Sequence, residues 1–148
     1  MKKFRKISAL ILALALICAL AVSVFADTLV TGTSGSVHTY DVYFHTQMSG
    51  DGTFAQADAI IETPGYLNFD GTIYLNYTYC PDDQMRPSSY QTGSKTYAFS
   101  RYSTVKYLRY VPSSGYVMIE ATGKTQITKT VNGAVYSTTT APVTVTLY

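Results

Sequence analysis

Tyr40-Asp41-Val42-Tyr43-Phe44-His45-Thr46-Gln47-Met48, followed by Ser49-Gly50-Asp51-Gly52-Thr53, is the stretch whose reading decides the fold. Its apolar residues fall at every second position: Tyr40, Val42, Phe44 and Met48 share one side, and Thr39, Asp41, Tyr43, His45 and Gln47 share the other. A period of two is the signature of a half-buried strand, and the Gly-Asp-Gly cluster after it is turn chemistry. The even positions are expected to point inward. A three-residue loop with Gly52 left-handed at a bulge would pair Met48 with Phe54 and Val42 with Ile60.

Outward from this segment the same alternation recurs to Tyr148, and no window shows sustained helical spacing of apolar residues. Asn68-Phe69-Asp70-Gly71-Thr72 reads as a second bulged hairpin, which sets Leu67 opposite Ile73 in phase with Leu75, Tyr77 and Tyr79. Asn132-Gly133 is a two-residue hairpin turn that puts Val131 opposite Ala134 and Lys129 opposite Tyr136. Pro112-Ser113-Ser114-Gly115 reads as a fourth hairpin connection, bringing Leu108 and Tyr110 opposite Ile119 and Val117. The segment from Pro81 to Ser94 is the long irregular stretch, expected to cross between sheets, and Pro142 suits the start of the last strand. About nine strands in one open sheet would leave an apolar face uncovered. The expected fold class is therefore all-β: a two-sheet antiparallel β-sandwich of about nine strands.

The first 26 residues are of another kind. Lys2, Lys3, Arg5 and Lys6 precede an unbroken apolar run from Ala9 to Val22, and Val24-Phe25-Ala26 fits a signal-peptidase site. About 14 apolar residues at about 1.5 Å each give about 21 Å of helix, short of the roughly 30 Å hydrocarbon core, which argues for a cleaved leader over an anchor. Ile17 before Cys18 is not the small residue that a bacterial lipobox requires. The reading is a signal peptide over 1–26, a single all-β domain over 27–148, and a secreted, extracellular or cell-surface location.

Export changes the charge argument. Of 11 Lys and Arg, four lie in the leader, which leaves seven against nine Asp and Glu. The seven are scattered from Arg86 to Lys129, not clustered as phosphate binding requires, so nucleic acid is not an expected partner. Cys80 is the one cysteine after the leader, so no disulfide can form within the domain; it is expected to be a buried, inert thiol, with an intermolecular disulfide and a reactive or ligand-bearing thiol as the alternatives.

Candidate chemistries are few. His38 and His45 fall on opposite faces of one strand, and a closed zinc site needs about four ligands. His45 beside Asp41 and Tyr43 is the better general-base candidate. Asp51 and Asp70 are expected at turns and Asp82-Asp83 in a solvated loop, with no calcium-loop spacing. There is no Gly-x-Ser-x-Gly elbow, and no metal or cofactor set is signalled. Tyrosine is the feature above background, with 14 in the chain and no tryptophan. Alternation assigns Tyr77, Tyr79 and Tyr110 to the core and leaves Tyr74, Tyr107 and Tyr116, with Arg109 alongside, as an exposed contact face for sugar rings, peptides or another protein.

In plan, a bacterial signal ahead of a small Tyr- and Thr-rich β domain resembles many secreted proteins of Gram-positive bacteria and, in architecture, the bacteriocins of the lactococcin 972 type, from which the lack of Trp departs. The resulting expectation is a non-enzymatic secreted protein that binds an extracellular or envelope partner through tyrosines. A secreted antibacterial toxin is the alternative, and an enzyme with a spatially assembled site the second. The secreted form is expected to begin at Asp27; intact-mass spectrometry of culture supernatant checks this, and full-length chain found only with cells would refute it.

Overall fold

The computed structural model describes residues 30–32, 36–37, 42–62, 68–100 and 105–148. The leader, His38, Tyr40, Asp41 and Leu67 lie outside them. Among the described residues the chain is strand with a single short 3-10 turn, Pro87–Ser89, and no α-helix. The strands are β1 (Val30–Gly32), β2 (Ser36–Val37), β3 (Val42–Asp51), β4 (Phe54–Ile61), β5 (Asp70–Pro81), β6 (Gln91–Ser100), β7 (Val105–Tyr110), β8 (Tyr116–Val131), β9 (Ala134–Thr139) and β10 (Val143–Thr146). They form two antiparallel sheets. The first runs β1-β3-β4-β7 with β2 also on β3, and the second runs β10-β8-β5-β6 with β9 also on β8. The expected all-β sandwich is the observed architecture.

The inner face of β3 carries Val42, Phe44, Thr46 and Met48, all fully buried, while Tyr43, His45 and Gln47 face outward, as the alternation requires. Ile73 and Leu75 of β5 are buried, and Tyr77, Tyr79, Leu108 and Tyr110 pack against the same core. Tyr77 and Tyr110 approach from opposite sheets and stack at 3.7 Å between centroids. Burial first pushes both phenols up; Tyr77 and Tyr79 add to it at Tyr110, while at Tyr77 the push from Tyr79 is opposed by the hydrogen bond with Tyr110.

The β3–β4 register differs from expectation. Asp51 pairs with Phe54 across a two-residue Gly52-Thr53 loop, closed by the Asp51 carboxylate accepting from the Thr53 backbone N–H at 2.7 Å and from its hydroxyl at 2.6 Å. Gly52 is not left-handed. The shift by an odd number of residues reverses β4, so that Ala55, Ala57, Ala59 and Ile61 are buried and Phe54 and Ile60 are only partly covered. The small side chains leave room for Met48. A Cβ on Gly123 of β8 would meet Met48 and the Ala57 methyl, so at this point the two sheets approach through Ala and Gly.

Gly71 is likewise not at a turn. It lies inside β5, between Phe99 of β6 and Ile127 of β8, and a Cβ there would overlap the Phe99 ring. Asp70 opens the strand rather than a loop. The segment after Pro81 does not cross between sheets; it returns as β6 beside β5 in the same sheet. The chain changes sheets three times, between β4 and β5, between β6 and β7, and through Val111–Gly115, since β7 pairs with β4 while β8 pairs with β5. Leu108 and Tyr110 therefore reach the core from the sheet opposite to Val117 and Ile119.

The Asn132-Gly133 hairpin stands as read: φ is 50° at Asn132 and 83° at Gly133, and Lys129 pairs with Tyr136 and Val131 with Ala134. Beyond it β9 and β10 lie end to end along one edge of β8. Gln126 pairs with Thr139 and Gly123 with Val143, so three residues, Thr140 to Pro142, span two on β8. The step turns Thr140 inward. Its hydroxyl lies 2.8 Å from that of Thr46, which donates to Thr125 at 2.9 Å, and the Thr125 N–H donates to the Thr140 hydroxyl at 3.1 Å. All three are buried.

Lys129 of β8 is buried and donates from Nζ to the Asn68 carbonyl at 2.6 Å, and two further lysines stand on the core-side rows of edge strands without being buried. Lys95 of β6 sits over the Tyr110 ring at 5.2 Å, and Lys106 of β7 stands in the same alternating row as Leu108 and Tyr110. Cys80 is free and fully buried; burial, with Asp82 adding to it, pushes its thiol up and away from the reactive thiolate.

Gly133→Val is expected to cost about 1–3 kcal/mol because a β-branched residue must become left-handed. Gly71→Val should cost a similar ~1–3 kcal/mol through overpacking on Phe99. Denaturant midpoints measure both, and unchanged values would contradict these placements.

Candidate functional site

The pairing of β4 between β3 and β7 builds the outer face of the first sheet. Register places Gln47, Asp58 and Tyr107 directly opposite one another across three strands, with His45, Ile60 and Val105 one row along and Ser49, Gln56 and Arg109 one row the other way. Directly opposite side chains on one face are about 5 Å apart at Cβ, and diagonal neighbours about 7–8 Å. Asp58 is thus the centre of a polar and aromatic cluster on the middle strand. Tyr107, on the strand beside it, is 63% exposed.

The electrostatics of Asp58 set it apart. Burial, though partial, holds its carboxyl above the ordinary value, and a hydrogen bond from Gln56 Nε2 at 2.9 Å offsets this only in part. Among the described residues no cation pairs with it. Arg109 is a diagonal neighbour, but its guanidinium lies over the Phe54 ring, 3.7 Å from the centroid, on the side away from Asp58. His45 is bound elsewhere as well, with Nδ1 3.3 Å from Glu62. Glu62 is held at the strand end by its N–H donating to the Tyr43 carbonyl, and the pairing of His45 with Asp41 lies outside the described residues.

The four tyrosine-face residues separate into three places. Tyr107 and Arg109 are together on the outer face of the first sheet. Tyr74 is on the outer face of the second, where its hydroxyl donates to Gln126 at 3.0 Å and Lys124 stands over its ring at 5.2 Å. Tyr116, at the start of β8, packs its ring edge-on against Tyr79 at 5.6 Å and belongs to the inter-sheet tyrosine cluster. The expected patch of Tyr107, Arg109 and Tyr116 does not form, because β7 and β8 lie in different sheets. Asp58, Gln47 and Gln56 were not singled out in the sequence, since their grouping depends on the β4 register.

The outer face of the second sheet holds an open concavity of about 460 Å³ whose lining includes Asn76, Thr78, Thr92, Ser94, Glu120 and Thr122. Of its lining hydroxyls, that of Thr122 pairs with Thr144 on the neighbouring strand at 2.7 Å. Among the described residues no three His, Cys, Asp or Glu side chains converge on a point that could hold a metal ion.

Because the folded state raises the Asp58 pKa, the stability tied to this group is fully present below its ordinary value of 3.8 and is lost as pH rises through the folded value. Asp58→Asn is therefore expected to equal or exceed the wild type in stability at neutral pH. The difference should shrink as pH falls toward 3.8, which paired urea melts at several pH values check. Comparison with known proteins finds no family model, no characterised relative and no solved structure that matches the chain.

Proposed function

We propose that this chain is a small exported, non-enzymatic binding protein that attaches to an extracellular or cell-envelope component through the outer face of its first sheet. The observation that carries the reading is the row Gln47–Asp58–Tyr107: an exposed aromatic ring beside a partly buried carboxyl that has no counter-charge among the described residues. Each is a poor choice for stability alone and a useful one for a ligand. The sandwich beneath holds the row on hydrogen-bonded strands, so the side chains are fixed before a partner arrives, and less ordering entropy is lost on binding.

Export is supported by the basic start, the apolar run and the Val24-Phe25-Ala26 site. Tyr74 and Tyr116 lie apart from this row: one has its own partners on the other sheet, and the other is packed at the end of the tyrosine cluster.

The test separates the tyrosines. Tyr107→Ser should change stability by about 0.5 kcal/mol or less while lowering co-sedimentation with isolated cell-wall and wall-polysaccharide preparations by about tenfold. Tyr116→Ser should cost about 1 kcal/mol through the lost ring contact and leave attachment of the folded protein unchanged. Full attachment in a stable Tyr107→Ser protein would overturn the reading.

A further inference from the structure

The chemistry of the row narrows what it can hold. A partly buried carboxyl with no cation beside it is complemented by a ligand that brings the positive charge. The local alternatives are already committed: the Arg109 guanidinium to Phe54 and His45 to Glu62. The Gln56 amide donates to Asp58 Oδ1 and retains its own carbonyl oxygen as an acceptor. Gln47, directly across, offers another donor and acceptor pair, and Tyr107 offers a ring face on the far side. Amide donors and acceptors around a carboxylate, flanked by an aromatic, suit a flat, polyhydroxylated ring better than an extended peptide. A bare ammonium would use the charge and leave the amides idle.

Resting on the binding role argued above, we propose that Gln47, Gln56, Asp58 and Tyr107 form a subsite for a sugar ring that carries a free amino group. In it the ammonium lies against the Asp58 carboxylate, the ring stacks on Tyr107, and ring hydroxyls meet the two amides. Among the described residues the other charged groups on this face are Arg109 and the His45–Glu62 pair, which flank the subsite along the strands.

Isothermal titration of the purified secreted protein with a glucosamine tetramer and with the neutral N-acetylglucosamine tetramer tests this. The titration is run at about pH 6, below the range in which an aliphatic amine gives up its proton, so that the free-amine tetramer carries positive charge and the acetylated one does not. The free-amine tetramer should bind about tenfold tighter than the acetylated one, a difference of about 1.4 kcal/mol. Asp58→Asn should erase that preference, and Tyr107→Ser should weaken both ligands. Tetralysine at the same concentration should not displace the glucosamine tetramer. Equal affinity for the two tetramers, a preference that survives Asp58→Asn, or displacement by tetralysine would each overturn the proposal. Wall attachment lost in Tyr107→Ser but intact in Asp58→Asn would remove the amino-sugar assignment and keep the binding role; attachment intact in both would remove the two together.

Discussion

Three threonine hydroxyls closed on one another between the sheets are the constraint on which the rest of the structure depends. Thr46 comes from the first sheet, Thr125 from the longest strand of the second, and Thr140 from the step between β9 and β10. Apolar side chains tolerate sliding, because burial has no direction. Hydroxyls do not: moving β3 by two residues along β8 would leave buried donors and acceptors unmatched, at about 1–3 kcal/mol for each group left unsatisfied. The contact thus specifies which residues of β3 meet which of β8, and it ties the bulge at Thr140 to Pro142 to that choice. With Thr46 held inward, His45 and Gln47 must face out. The candidate site inherits its third strand from a contact in the core.

The same logic explains why Asp58 can remain a liability. It lies on a strand hydrogen-bonded on both sides, whose inner residues Ala55, Ala57 and Ala59 are fully buried. The strand has no freedom to turn the carboxyl further into water. Arg109 could relieve it from the next row, but the Phe54 ring offers the guanidinium a face at 3.7 Å. Phe54 is exposed enough to do so only because the Gly52-Thr53 loop turns it outward. A two-residue turn, a reversed strand, a displaced arginine and an uncompensated carboxyl are thus one chain of consequences.

How much was legible follows from where each signal resides. The alternation in β3 and the Asn132-Gly133 turn are local, and both emerge as read, as does the sandwich. The face of β4 was misread because Phe54 and Ile60 are the larger hydrophobes, whereas Ala55, Ala57 and Ala59 give little hydropathic signal and owe their burial to close approach of the sheets. Gly71 mimics turn chemistry, although what requires glycine there is a ring 28 residues away, that of Phe99. Sheet membership is weaker still. Nothing near Pro112 distinguishes a hairpin from a crossing, and on that point rested the grouping of Tyr107 with Tyr116. The Gln47–Asp58–Tyr107 row needs two correct registers at once, so sequence pattern alone does not reveal it.

Lys95 and Lys106, on the core-side rows of β6 and β7, carry a consequence for self-association, because these strands form one edge of each sheet. Among the described residues β6 and β7 each pair with a strand on one side only, and an open strand edge is the feature by which sheets recruit foreign strands and grow into aggregates. A flat, sealed join along either strand would trap the ammonium groups of Lys95 and Lys106 in the continued core, where charge without water is costly. Two lysines set on the core-side rows of these edges thus act as stoppers against polymerisation.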